Sequence, residues 1–159
     1  MIHFAINIMI ALCWVFLLAE PSFDDFVIGF LIGYILLSIC QPLLRQQSGY
    51  FRRTAALLKF VFQFIKLFIQ SNYTIAKAVV FRPVQEIKPN FVEYDTDGLR
   101  FPEIFLLTHC ITLTPGTTSA YIAPDLKKIV VHAFDGEDPE AVRNDIKTNL
   151  ENYILAFTR

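Results

Sequence analysis

Four consecutive residues, Thr114, Pro115, Gly116 and Thr117, are the first candidates for binding chemistry because two hydroxyl groups flank a Pro-Gly pair. A loop that cradles phosphate would need more glycine and a lysine, and it would open a helix, whereas this stretch follows one. Pro115 cannot extend the preceding helix, and Gly116 permits the positive φ of a turn into a strand. Two interpretations stay open, a plain turn or an exposed, hydroxyl-rich corner on which a protein partner docks.

The other reactive side chains do not assemble into a catalytic or metal-binding group. The three histidines, His3, His109 and His132, fall on a terminus, a predicted helix and a predicted strand. The three cysteines lack the paired spacing of a metal site or a disulfide framework. The acidic run 135–140 surrounds a helix start and is too short for a calcium loop. We therefore predict that the chain is not an enzyme and has no catalytic residue, no metal and no cofactor.

The composition is that of a membrane protein, with 54% hydrophobic residues and a mean hydropathy of +0.45. Residues 1–19 and 26–44 contain no Asp, Glu, Lys or Arg, and each stretch is about as long as the ~20 residues of a spanning helix. A cleaved signal peptide is disfavoured for the first stretch, which has no Lys or Arg before its apolar core and no good cleavage site. We predict a transmembrane helical hairpin with spans at about 2–19 and 26–44, turning at residues 20–25.

The predicted hairpin lacks the charged groups that an ion pathway needs at depth. Its polar residues are few, and Gly29 and Gly33 form a G-x-x-x-G pair that is typical of close helix packing, with a partner as the candidate contact. This polypeptide alone is therefore not expected to conduct ions.

The third apolar segment, residues 55–81, is interrupted by polar residues every three or four positions, including Lys59, Lys66 and Lys77. These positions fall in one narrow line along a helix. An amphipathic helix in the cytoplasmic interface and a third span with its polar line on a partner protein are both possible. The interfacial helix is favoured because basic residues flank the segment at both ends. The lysines are candidate partner contacts.

Charge divides the chain and predicts its orientation. Residues 1–90 hold eight basic and four acidic side chains, whereas residues 91–159 hold six and eleven. The basic run after the second predicted span should stay in the cytoplasm, so both termini are expected there. Nucleic acid is not expected as a partner because the C-terminal part is acidic and phosphates would repel it.

Residues 83–159 have the composition of a small soluble α+β domain, preceded by a basic loop and amphipathic helix at 45–82. Alternating or β-branched runs predict strands at 91–95, 117–123 and 127–134. Helices are predicted from Pro102 to Leu113 and from Pro139 onward. Asp138 is the expected N-cap of the second helix, whose apolar stripe is predicted to be Val142, Ile146, Leu150, Ile154 and Phe157. The order strand, helix, strand, strand, helix predicts a ferredoxin-like half sandwich with a crossover between the first and last strands and both helices on one face.

The layout and two motifs, "LTPGT" at residues 113–117 and "VHAFD" at residues 131–135, resemble the E subunit of Mrp-type multisubunit Na⁺/H⁺ antiporters, over essentially the whole chain. The resemblance implies a non-catalytic accessory subunit of a bacterial inner-membrane complex that exchanges Na⁺ for protons. It implies that other subunits carry the ion paths, that this subunit supports assembly or stability, and that it has no small-molecule substrate of its own. The alternative is a free-standing membrane-anchored sensor whose ferredoxin-like domain binds a ligand.

Overall fold

The computed structural model describes residues 2–40 and 49–159, which fall into two compact units, one within residues 1–54 and one covering residues 55–159. The helices are α1 (Ile2–Phe16), α2 (Phe23–Cys40), α3 (Gly49–Phe81), α4 (Phe101–Leu113), α5 (Pro139–Ile146) and α6 (Asn152–Thr158). The strands are β1 (Asn90–Asp95), β2 (Thr117–Ile122) and β3 (Lys128–Ala133). Within the described residues, α2 and α3 are long and apolar enough to cross a membrane. Part of the predicted second span, residues 41–44, and part of the basic loop lie outside the described residues.

Both helices of the hairpin differ from their predicted bounds for local reasons. Helix α1 ends at Phe16 rather than residue 19, because the N–H groups of Leu17 and Leu18 bond to carbonyls three residues back and tighten the last turn. Helix α2 begins at Phe23 rather than residue 26. The Ser22 hydroxyl accepts from the Asp25 N–H while the Asp25 carboxylate accepts from the Ser22 N–H, which is a reciprocal N-terminal cap.

Helices α1 and α2 pack antiparallel at the two glycines of α2. A Cβ on Gly29 would lie 2.8 Å from Trp14 Cβ, and one on Gly33 would lie 3.0 Å from Ile10 Cγ2 and overlap Asn7 Oδ1. Asn7 is fully buried, and its Nδ2 donates to the Tyr50 hydroxyl at 3.4 Å. The two glycines therefore allow close contact between α1 and α2, and a side chain at either position would separate these helices.

The second unit contains a three-stranded sheet in the order β1-β3-β2, and both neighbouring pairs are antiparallel. Helix α4 joins β1 to β2, so the crossover connects the first and second strands, and β3 lies between them. The expected crossover between the first and last strands is wrong, because β1 and β3 are adjacent and antiparallel. One sheet face is buried against α4 and the C-terminal helices, and it carries Val92, Tyr94, Ile129, Val131 and Ala133.

The C-terminal helical region contains a π-helical segment, Lys147–Glu151, between α5 and α6. Its predicted apolar stripe lies at strict four-residue spacing, and Ile146, Leu150 and Ile154 are all buried. In an α-helix of 3.6 residues per turn such a stripe drifts around the axis, and a wider π turn offsets the drift. The Asp138 carboxylate accepts from the N–H groups of Glu140 and Ala141, so the predicted N-cap is confirmed.

Helix α3 packs along the second unit instead of standing apart from it. Phe60 is only 7% exposed and its ring lies 5.3 Å from that of Phe157. Gln63 Nε2 donates to Asn149 Oδ1 at 3.0 Å, and the Arg82 guanidinium pairs with Asp135. Residues 55–81 of α3 therefore belong to the same compact unit as the α+β fold.

A buried carboxylate connects the first turn of α4 to residues Thr158 and Arg159, which follow α5 in the chain. Glu103, in the first turn of α4, is 2% exposed, and it accepts from Thr158 Oγ1 at 2.8 Å and from Arg159 Nη2 at 3.0 Å. The Arg159 hydrogen bond is the main cause that lowers the pKa of Glu103 from 4.5 to about 2, and it outweighs the opposing effect of burial. Folding is thereby linked to ionisation of this side chain.

We predict that Gly33→Leu lowers the melting temperature of the full chain in detergent. The added side chain must displace Asn7 and Ile10, and overpacking of this kind costs about 1–3 kcal/mol or more. The matched control is Ile35→Leu on the same helix, at a side chain that is 59% exposed. Equal melting temperatures for the two variants would contradict the observed helix contact.

We predict that Glu103→Gln lowers the free energy of unfolding by roughly 2–3 kcal/mol at neutral pH. Because the folded-state pKa lies below the ordinary value, this stabilisation is complete above pH 4.5 and is lost as pH falls toward 2. Chemical denaturation of the full chain at several pH values should show the wild type and the variant converging over that window. Glu93→Gln, at an exposed pair with Lys128, is the control and should change stability little. A constant difference between pH 5 and pH 2 would count against the linkage.

Candidate functional site

The hydroxyls of the corner Thr114–Thr117 are turned into the protein. Thr114 is 7% exposed and its Oγ1 donates to the Cys110 carbonyl at 2.8 Å. Thr117 Oγ1 donates to the Ile111 carbonyl at 2.9 Å. Both carbonyls lie in the last turn of α4 and also accept from the Thr114 N–H, at 3.1 and 3.3 Å, so each hydroxyl adds a second bond at the helix end. The two hydroxyls therefore complete the end of α4, which differs from the exposed docking surface considered in the sequence analysis.

Gly116 connects this corner to α3. Its φ is +96°, which favours glycine, and its carbonyl accepts from the Phe134 N–H at 2.7 Å. A Cβ at this position would lie 2.8 Å from Ile75 Cδ1 and 3.3 Å from Ile75 Cγ1. Because glycine has no side chain, Gly116 can adopt the positive φ of the turn into β2, and it also leaves room for Ile75 of α3.

The other predicted contact residues lie on two different surfaces. Gly29 and Gly33 are buried against α1, so the atoms expected to meet a partner already meet this chain. Lys59, Lys66 and Lys77 are exposed along α3. Within residues 2–40 and 49–159, no ion pair involves any of these three lysines. The predicted contact residues therefore belong to two different compact units of the chain.

The titratable groups offer little for acid–base or nucleophilic chemistry. Burial raises the pKa of the Cys110 thiol to about 11, which keeps it protonated at neutral pH. His109 Nδ1 lies 2.7 Å from the Phe105 carbonyl, and His132 packs its ring 5.0 Å from that of Phe91. Among the described residues, no three His, Cys, Asp or Glu side chains are placed to hold a metal ion.

One polar cavity of about 400 Å³ lies beside the π-helical segment. The Tyr94 hydroxyl donates to Glu151 Oε2 at 2.5 Å. Burial is the main cause that raises the Tyr94 pKa, and this hydrogen bond is the second. Arg143 Nε donates to the Glu93 carbonyl at 2.8 Å, and its guanidinium also pairs with Glu140. Two pairs of lining side chains, Tyr94 with Glu151 and Arg143 with Glu140, are therefore already bonded to each other.

Sequence reasoning missed the contact face of α3. Its members follow the helical repeat, at spacings of three, four or eight residues, on the side away from the lysines, and they are Phe60, Phe64, Leu67, Ile75 and Ala78. That spacing was visible in the sequence, but the abundance of apolar residues on α3 hid which stripe would be buried in protein.

The chain is similar over nearly its whole length to known proteins. The family model described as Na⁺/H⁺ ion antiporter subunit (MNHE) matches residues 7–157. The E1 subunit of a Na⁺/H⁺ antiporter from Staphylococcus epidermidis is 31% identical over 96% of this chain and 95% of its own length. The E subunit of a Na⁺/H⁺ antiporter from Bacillus subtilis is 32% identical over 97% of this chain and 96% of its own length.

Two solved structures contain similar chains. One, from the Mrp complex of Dietzia sp. DQ12-45-1b, is 31% identical and covers 64% of this chain and 97% of its own, with a TM-score of 0.46. The other, from an archaeal membrane-bound sulfane sulfur reductase, is 21% identical with a TM-score of 0.56 over 96% of both chains, which shows a shared fold. On the match to residues 7–157 and the identity to its curated relatives, this chain belongs to the Na⁺/H⁺ ion antiporter subunit family, MNHE.

Proposed function

We propose that this chain is a non-catalytic accessory subunit of a multisubunit monovalent cation (Na⁺)/proton antiporter in the bacterial cell membrane, where it supports assembly and stability of the complex. Its relatives are the E and E1 subunits of Na⁺/H⁺ antiporters. The other subunits of such a complex and the lipid bilayer are its partners. Both termini and the α+β unit face the cytoplasm in this proposal, because the basic residues concentrate after the hairpin.

One observation carries the non-catalytic part of the proposal. In the described part of the membrane unit, the buried polar side chains are His3 and Asn7, both in the first half of α1. A path for Na⁺ or protons needs polar or ionisable groups that continue across the bilayer. The acidic residues of α2, Asp24 and Asp25, lie at its first turn and not at depth. The hairpin is thus suited to packing in the membrane.

The α+β unit supports the same role as a rigid cytoplasmic element. We assign its β1-α4-β2-β3 order, followed by α5 and α6, to a ferredoxin-like half sandwich. The corner at residues 114–117 fixes α3 to this unit through Ile75, and we propose that complex assembly requires that joint. A sensor function would need a ligand site, and the polar cavity beside Tyr94 is a weak candidate because Tyr94 is already bonded to Glu151 and Arg143 to Glu140.

We predict that the double variant His3→Phe/Asn7→Leu leaves the Na⁺ concentration for half-maximal exchange unchanged. The variant removes the two buried polar side chains of the described membrane unit while nearly preserving their size. Exchange would be measured in everted membrane vesicles and divided by the amount of intact complex, so that an assembly defect is counted separately. A shifted half-saturation or a loss of exchange per complex would contradict the non-catalytic role.

We predict that Gly116→Ala reduces recovery of the intact complex more than Gly98→Ala does. Both glycines have positive φ, so alanine costs about 1–2 kcal/mol of backbone strain at each. Among the described residues, no heavy atom lies within 4 Å of a Cβ at Gly98, whereas one at Gly116 meets Ile75. Adding Ile75→Ala to Gly116→Ala should restore part of the recovery. Equal recovery of the two glycine variants would argue that the corner is only a turn.

A further inference from the structure

The surface of α3 that points away from the α+β unit is apolar and exposed. Its residues follow the helical repeat on the side opposite Phe60 and Leu67, and they include Phe62, Ile65, Ile69, Val79 and Val80. Asn72 interrupts this surface, but its Nδ2 donates to the Phe68 carbonyl of its own helix at 2.8 Å. The face therefore presents few unsatisfied polar groups to an apolar environment.

Helix α3 contacts the α+β unit along a length comparable to the thickness of a membrane. The residues that make these contacts therefore cannot also span the membrane. Contacts to the unit run from Phe60 to Arg82, which is about 33 Å of helix and as long as the ~30 Å hydrocarbon core. A span over these residues would draw exposed ion pairs of the unit, such as Lys88 with Glu137, into hydrocarbon. Only one face of α3 is available to lipid.

The three lysines line one edge of that apolar face. Lys59 and Lys66 are about two turns apart and Lys66 and Lys77 about three, so they fall on one side of the helix. They lie between the packed stripe and the apolar surface, where long side chains can extend to the level of lipid headgroups. The opposite edge carries apolar residues, including Leu57 and Phe68. The cationic groups are therefore concentrated on one side.

We propose that α3 lies in the membrane surface with this apolar face among the lipid chains, and that Lys59, Lys66 and Lys77 bind the phosphates of anionic phospholipid headgroups. The charge complementarity between the lysine row and an anionic leaflet identifies the occupant as lipid. The inference rests on the proposed function only for placing the chain in a membrane, and it adds a lipid class that the protein recognises.

The test uses the full chain reconstituted in mixed phosphatidylcholine and phosphatidylglycerol bilayers. Phe62→Cys, at a side chain that is 73% exposed beside the lysine row, carries a bimane fluorophore. The background is Cys13→Ala/Cys40→Ala, and the buried Cys110 does not compete for label. Quenching by brominated phosphatidylglycerol or brominated phosphatidylcholine then gives the relative binding of each lipid beside α3. We expect about tenfold preference for phosphatidylglycerol.

Matched lysine variants assign the preference to the row. Lys59→Gln/Lys66→Gln/Lys77→Gln should abolish it, whereas Lys88→Gln/Lys127→Gln/Lys147→Gln, with the same change in charge, should retain it. If the two brominated lipids quench the labelled chain equally while Lys59, Lys66 and Lys77 are all present, the proposed headgroup site is overturned. Absence of quenching by either lipid would place the face in water or against a second copy, and loss of quenching on addition of the other subunits would make it a protein interface. Either result overturns the proposal, and neither depends on the recovery and exchange assays of the proposed function.

Discussion

Burial of one stripe of α3 against the α+β unit is the interaction on which the rest of the second unit depends. Phe60 and Ala78 are nearly inaccessible to solvent, and Ile75 fills the space left by Gly116. Hydrophobic burial of this kind favours one orientation of an otherwise apolar helix. Because this stripe is occupied by protein, the remaining apolar surface and the lysine row face elsewhere, and that geometry supports the membrane-surface helix that we propose.

Several residues that were predicted to contact a partner make contacts within this chain. Gly29 and Gly33 allow α1 and α2 to approach closely, and Thr114 and Thr117 satisfy carbonyls at the end of α4. Small residues and short hydroxyl side chains are enriched at helix contacts and helix ends for these physical reasons. In the accessory role that we propose, the stiffness that such contacts confer is itself useful, since a subunit that supports assembly must hold its own shape.

Local patterns predicted much of the fold. The structure agrees with three predictions that depend only on neighbouring residues. They are the strand and helix order of residues 90–158, the Asp138 cap and the apolar stripe through Ile146, Leu150 and Ile154. The strand order and the crossover depend on which distant segments pair, and periodicity carries no information on that choice. The same limit applies to Glu103 with Arg159 and to Ile75 with Gly116, because each contact joins positions far apart in sequence.

Hydrogen exchange of the reconstituted full chain tests the packing of α3 most directly. Phe60→Ala removes a ring in contact with Phe157, so it should speed amide exchange in β3 by about tenfold or more, because the strand shares the core that the ring covers. Phe62→Ala, on the exposed side of the same helix, should leave exchange in β3 unchanged. If both substitutions leave β3 equally protected, α3 is not part of this unit, and the account of its membrane-surface face is contradicted.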